Sequence, residues 1–249
     1  MVTSIDELAL KLRDKDRQIN GNQPGLLGPS HEKIKESLIE HEETAKLFSV
    51  VHTDNIFHNP HLYGDSIAEN SKIIANAIYP LLKIEDEIDM LFYAAKYHDY
   101  GKIMLDQQLF IKREDISRQE FAEIQKHSEY GANMIRNCKY LKDIIGHHHE
   151  NWDGTGYPNK LKGEAIPIGA RVIRIPDSFD AMTHDRKYQK AIPQYQALEI
   201  IKKNSGTLFD PELVDIFVPR MIEILNSNMA KKPDNGNGQN KEKPSMLRQ

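Results

Sequence analysis

His98 and Asp99 stand side by side in Tyr97-His-Asp-Tyr-Gly-Lys102, offering an imidazole and a carboxylate at nearly one point of the chain. A carboxylate has two oxygens and can bridge ions about 3.5 to 4 Å apart, so the pair suits a dinuclear metal site. Ile88, Leu91, Phe92 and Ala95 recur at helical steps just before it. His98 and Asp99 therefore fall at the inner end of an apolar helix face, with Gly101 as the expected helix stop. Polar side chains buried there need partners.

Other residues of the same chemistry fall on apolar faces. His127 lies in the stripe Phe121, Ile124, His127, Gly131, Ile135; His148 and His149 follow Leu141, Ile144 and Ile145; Asp177 aligns with Ala170, Ile173 and Ala181. A single one of these is ordinarily a core residue satisfied by an internal hydrogen bond. Six converging would leave too many buried polar groups without a shared cation, and helical bundles build metal sites in this way. Nitrogen and oxygen donors without thiolate suit iron, manganese, zinc or similar divalent ions. Such a pair acidifies bound water and clamps attacking and leaving oxygens, so phosphoester hydrolysis is the expected chemistry. Asp99 is the expected bridge. Lys102, one turn beyond His98, is placed to reach a phosphate oxygen or the departing oxygen, although a solvated lysine is the commoner fate.

The elements that must position these groups read as helices throughout. Residues 1–51 form a helical extension interrupted by the turn-rich linker Asn20 to Pro29. Residues 52–64 read as irregular, Ser66 to Leu82 as a helix, and Glu85-Asp86-Glu87 as the acidic start of the helix ending at His98. Ser117-Arg-Gln-Glu120 has the form of a capping box. Asn151 to Gly163 is a glycine- and proline-rich loop, and a helix over Gly169 to Thr183 is expected to kink at Pro176. Helices over Pro193 to Asn204 and Pro211 to Asn226 close the set, and residues from Lys231 onward have a disordered composition. The expected architecture is all-α, divided into an extension (1–51), a helical domain (52–228) and a tail (229–249).

Composition excludes several classes. The chain has 249 residues, 39% hydrophobic and 28% charged, ordinary for a globular protein. It holds no apolar run of about 18 residues, so no membrane span is expected. The opening Met-Val-Thr-Ser-Ile-Asp-Glu lacks the features of a secretory signal, and cytoplasm is the expected compartment. Cys138 is the single cysteine, which excludes an internal disulfide and a cysteine-rich zinc site. A formal net charge of -4 argues against nucleic acid as a partner. An anionic ligand remains compatible if metals and a few basic residues make the cleft locally positive.

Together these motifs carry a resemblance. His98-Asp99 with Gly101-Lys102, Ile124-Gln-Lys-His127 with Gly131, His148-His-Glu-Asn-Trp-Asp-Gly-Thr-Gly-Tyr-Pro158, and Ile175-Pro-Asp-Ser-Phe-Asp-Ala-Met-Thr183 resemble the HD-GYP branch of the HD phosphohydrolases. Phe209-Asp-Pro211 extends the similarity. The resemblance implies an HD-domain helical bundle that hydrolyses cyclic di-GMP to pGpG or GMP, with a non-hydrolysing nucleotide- or partner-binding protein as the alternative. It implies His98, Asp99, His127, His148, His149 and Asp177 as metal ligands and Lys102 as a catalytic or phosphate-contacting residue. Arg186 is implied as a phosphate contact. The Gly154–Pro158 loop, with Gly156 and Tyr157, would line the substrate cleft or meet a partner such as a diguanylate cyclase (GGDEF) domain. Two ions are implied, or three, with iron or manganese foremost.

One motif departs from the family. Asp65 stands where a histidine ligand is usual, and His61, four residues earlier, stands where some members place a glutamate for a third ion. His61 and Asp65 then form a swapped ligand pair; alternatively, Asn70 aligns with the histidine and a ligand is lost. Pro176 replaces a usual alanine, and Gln189 a usual basic residue.

Overall fold

The computed structural model describes residues 60–78, 85–106, 108–111, 116–135, 138–185 and 190–230. The expected extension 1–51, most of the tail, and Arg186 lie outside the described residues. The described residues contain no strand, only a single bridge between Ser205 and Phe209, and the all-α expectation holds.

The first helix, α1 (Pro60–Ile78), begins earlier than the sequence reading placed it. The reason is Pro60 itself: at a first helical position its fixed φ fits and its missing N–H leaves nothing unsatisfied. Ile67, Ala68, Ser71, Ile74 and Ala75 make the buried face, and the Ser71 hydroxyl is absorbed by the Ile67 carbonyl (2.8 Å). Across it packs α2 (Glu85–Tyr97), which buries Leu91, Ala94 and Ala95. The alanines on both buried faces permit close approach of the two helices.

Gly101 does not stop this helix. The chain leaves α2 at Tyr97 and enters a 3-10 turn, Tyr100–Met104. A Cβ at Gly101 would lie 2.0 Å from the His127 carbonyl oxygen and 2.4 Å from the Gly131 nitrogen. Glycine is required there because two backbones cross without room for a side chain.

After the short α3 (Gln108–Ile111), α4 (Arg118–Gln125) starts with the expected capping box: Ser117 Oγ accepts from Glu120 N, and Glu120 accepts from Ser117 N. The expected single helix through His127 is in fact two, because the chain turns at Lys126 before α5 (His127–Met134). Phe121, expected on the buried face, is 51% exposed. The turn at Lys126 separates α4 from the axis of α5, so no residue of α4 is buried while His127, Ser128, Gly131 and Ala132 are.

α6 (Lys139–His147) packs on α5 and α2 through Leu141, Ile144 and Ile145. α7 (Ile168–Thr183) is buried on nearly every side and contacts α1, α6, α8 (Gln194–Lys203) and α9 (Pro211–Ala230). It is the central helix, and it runs through Pro176, where the sequence predicts a kink, as one element. A buried ion pair ties it to the start of α9: Arg171 Nη1 donates to Asp210 Oδ2 at 2.7 Å, and Arg171 Nε to the Ile166 carbonyl at 2.9 Å. Phe179 and Phe217 meet edge to face at 5.8 Å on the same seam. No described helix is long and apolar enough to cross a membrane.

Candidate metal centre

Four elements bring their ends to one place: α2 with its following turn, the start of α5, the turn after α6, and the middle of α7. His98 and Asp99 come from the first, His127 from the second, His148 and His149 from the third and Asp177 from the fourth. All six meet. Asp99 Oδ1 lies 3.2 Å from His127 Nε2 and 4.0 Å from His148 Nε2. His127 Nε2 is 3.3 Å from His148 Nε2 and 3.1 Å from His149 Nε2. The ligating atoms of Asp99, His127, His148 and His149 all fall within 4.8 Å of one another. On the other side, His98 Nε2 is 3.5 Å from Asp99 Oδ2 and 3.7 Å from Asp177 Oδ1. Pro176 has not displaced Asp177 from this group.

The hydrogen bonding behind the rings fixes which nitrogen faces inward. Nδ1 of His98, His127 and His148 lies 2.7, 2.7 and 2.6 Å from the carbonyl three residues earlier, those of Ala95, Ile124 and Ile145. A carbonyl only accepts, so Nδ1 carries the proton in each ring and, in the neutral ring, Nε2 is a bare lone pair. Three lone pairs then face one another and a carboxylate. His98 Nε2 and Asp99 Oδ1 are buried without a hydrogen-bond acceptor or donor among the described residues. Such an arrangement repels itself unless a cation or shared protons occupy the centre. Backbone-anchored Nδ1 with Nε2 presented is how histidine ligands are oriented. The donor set therefore fits divalent metal, with Asp99 offering one oxygen to each side.

Electrostatics agree with the geometry. Burial and then the neighbouring imidazoles of His98 and His127 push His148 well below the ordinary histidine value, and burial with His148 does the same to His149. Both rings present neutral nitrogen. Burial alone would lower His98, but Asp99 and then Asp177 outweigh it and hold its pKa raised. Burial opposes ionisation of Asp99, yet Lys102, His98 and His127 keep its carboxyl well below the ordinary range. Asp177 is likewise held ionised against burial, chiefly by His98.

Lys102 pairs with Asp99 Oδ2 from the 3-10 turn and is one-third exposed. Tyr157 stacks on His149, ring centroids 4.8 Å apart, at the rim. Gly156, expected to meet a ligand, is buried instead: a Cβ there would lie 2.3 Å from Asn151 N and 2.5 Å from the His149 carbonyl. It lets the loop close on itself, and Tyr157 is the ring this loop lays on His149. His61 and Asp65 lie on the first turns of α1; their side chains, like Arg186, are outside the described residues.

Sequence reasoning missed two residues. Glu150 is buried and accepts from Asn159 N (2.7 Å) and Leu161 N (3.1 Å), holding the loop to the histidine pair. Arg174 contacts Asn151, Ser178 and Asp177. Its signal was in the sequence, one helical turn before Asp177.

With this geometry in hand, the family is settled by comparison. The HD domain family model matches residues 57–213, and the chain belongs to the HD domain family. The resemblance to its HD-GYP branch holds as well. A 3'3'-cGAMP-specific phosphodiesterase 2 of Vibrio cholerae is 36% identical over 146 residues, 57% of this chain and 28% of that protein. A cyclic di-GMP phosphodiesterase of Thermotoga maritima is 34% identical over 147 residues, 57% of this chain and 40% of that protein. The chain thus matches less than half the length of these relatives. Among solved structures, Bd1817, an HDG"Y"P protein from Bdellovibrio bacteriovorus, shares the fold, with TM-score 0.53 and 15% identity over 89% of this chain and 74% of that one.

Proposed function

We propose that this chain is a metal-dependent phosphodiesterase that hydrolyses cyclic di-GMP to pGpG, GMP or both. The observation that carries the reading is the trio of Nδ1 anchors, which leaves the Nε2 atoms of His98, His127 and His148 facing a shared carboxylate. In this reading His98, Asp99 and Asp177 hold one ion, and Asp99, His127, His148 and His149 hold a second. The swapped pair His61 and Asp65 is proposed as the source of further ligands. Iron or manganese is the expected metal.

Bound there, divalent ions supply Lewis acidity toward phosphate and water. The chain's own groups do the rest. Asp99 keeps the two halves of the site at a fixed separation. His148 and His149, held neutral by burial, stay available as ligands. Lys102 gives a proton-bearing cation to a phosphate or departing oxygen, and Arg186 contacts phosphate. Tyr157 offers a ring at the rim on which a base can stack, or a surface for a GGDEF domain. On this reading the protein is cytoplasmic and residues 52–228 form the catalytic domain.

The relatives' names divide between cyclic di-GMP and 3'3'-cGAMP, so both are assayed. The full chain, reduced and loaded with Mn(II) or Fe(II), is expected to convert cyclic di-GMP to a linear product, and the Asp99→Ala variant to lose metal and turnover together. Two bound metals with no product from either dinucleotide would overturn the enzymatic reading, and nucleotide binding under those conditions would favour an adaptor.

A further inference from the structure

Arg174 sits on α7 with its side chain 18% exposed. Nε and Nη2 donate to Asn151 Oδ1 at 3.3 and 3.1 Å, and Nη1 donates to Ser178 Oγ at 3.0 Å. Its ion-pair partner among the described residues is Asp177, with Oδ2 at 3.8 Å from Nη1, beyond hydrogen-bond reach. The same carboxylate also faces His98, with Oδ1 at 3.7 Å from Nε2. The guanidinium is thus oriented by hydrogen bonds to neutral groups and shares the Asp177 carboxylate with His98. Of its five N–H groups, one on each terminal nitrogen has no acceptor among the described residues. A largely buried guanidinium fixed in this state keeps one donor on each terminal nitrogen for an anion.

Its position decides which anion. His98 Nε2 lies between the two carboxylates, Asp99 at 3.5 Å and Asp177 at 3.7 Å. Lys102 pairs with the first and Arg174 with the second. The cluster of imidazoles and carboxylates is flanked by two cations on separate elements.

We propose that Arg174 is a phosphate-contacting residue, a preoriented cation on the Asp177 side of the cluster that engages a phosphate group of the ligand. The identity of the ligand rests on the phosphodiesterase reading; the contact itself requires only a phosphate anion. Asn151 and Ser178 hold the fork in place, and guanidinium is suited to this task where ammonium is not, because its donors are planar and fixed.

A purely structural role is the competing account. Asn151 Nδ2 also donates to Thr155 Oγ1 (3.1 Å), so Arg174 could serve only to pin the loop that carries Tyr157. The test uses the full chain loaded with Mn(II), titrated with inorganic phosphate by calorimetry and assayed in parallel with cyclic di-GMP. Arg174→Gln is expected to weaken phosphate binding and raise KM by about 10- to 100-fold, as loss of a charge-assisted hydrogen bond does. Metal content stays at the parent value and kcat moves far less than KM. Arg174→Lys falls between parent and Arg174→Gln. Asn151→Ala, which removes the clamp but keeps the cation, stays much closer to the parent.

Parent-like phosphate affinity in Arg174→Gln overturns the proposal, as does an Asn151→Ala variant that reproduces its full loss. Should Arg174→Gln fail to fold, Arg174→Lys decides, and parent affinity there overturns it equally. A parent that binds phosphate without hydrolysing a dinucleotide sinks the enzymatic reading alone. A parent that turns over while Arg174→Gln is unaffected sinks this proposal alone.

Discussion

The crossing of the 3-10 turn over α5 gives the sharpest prediction, through Gly101→Ala. The added Cβ would sit 2.0 Å from the His127 carbonyl oxygen, 2.4 Å from Gly131 N and 2.9 Å from the His127 carbonyl carbon. All three are backbone atoms, so no side chain can swing away. The turn and α5 must separate by about 1 Å merely to reach the closest contact that proteins tolerate, and interiors packed to crystal density transmit such a shift. Overpacking of this kind costs about 1–3 kcal/mol, occasionally more. For a domain of this size that is about 2–12 °C in melting temperature.

The displacement also falls on the site. His127 Nε2 is 3.2 Å from Asp99 Oδ1, and the two residues sit on the two backbones being forced apart. Gly101→Ala is therefore expected to keep its helical circular dichroism while losing the metal held with His127, His148 and His149. Gly131→Ala provides the graded control: its Cβ would meet Ile145 Cγ2 at 3.1 Å and Gly101 N at 3.3 Å, contacts that need shifts of only tenths of an ångström. The assay is thermal unfolding with metal counted by elemental analysis. Parent melting temperature and full metal content in Gly101→Ala would refute the account of this crossing.

Lys102→Ala is expected to retain metal and lose about 10²–10³ in kcat, as removal of one transition-state donor does; stopped turnover assays with elemental analysis check it, and full activity rules the lysine out. Asp210→Ala leaves the Arg171 guanidinium buried without its acid and is expected to cost about 3–5 kcal/mol in urea unfolding, with most of it recovered in Arg171→Met/Asp210→Ala. The metal-free protein should lose stability between pH 6.5 and 5. His148 and His149 have lowered pKa values, so the unfolded chain takes up protons there that the folded chain refuses. His98, raised, works in the opposite sense, stabilising below 6.5, but it is one ring against two. Asp99 and Asp177, both lowered, withdraw their contribution only as pH falls toward the ordinary carboxylate range. A urea midpoint that rises on acidification across this window contradicts the assignment.

What was legible in the sequence is what repeats along a helix. The apolar steps before His98 and before His148 reported which face is buried, and Ser117 with Glu120 reported a helix start, because these are local signals. Contacts made between elements were not legible. Gly101 reads as a helix stop from its neighbours, and only the nearness of His127 and Gly131 reveals a backbone crossing. Phe121 continues the His127 stripe on paper, whereas the turn at Lys126 carries it to solvent. Pro60 reads as irregular chain because proline usually interrupts helices, yet at a first position it begins one. Arg171 and Asp210, 39 residues apart, gave no local sign of their pairing. The convergence of the six site residues could be argued from burial cost, but the Nδ1 anchors that aim them needed coordinates.

The central claim is that these imidazoles and carboxylates hold metal, and counting metal tests it most directly. The full chain, purified anaerobically and equilibrated with Mn(II) or Fe(II) before removal of free ion, is predicted to retain at least two ions per chain. Asp99→Ala, which takes an oxygen from each half of the site, is predicted to retain fewer than one. A parent that retains none, or an Asp99→Ala variant that retains the parent's full complement, contradicts the account.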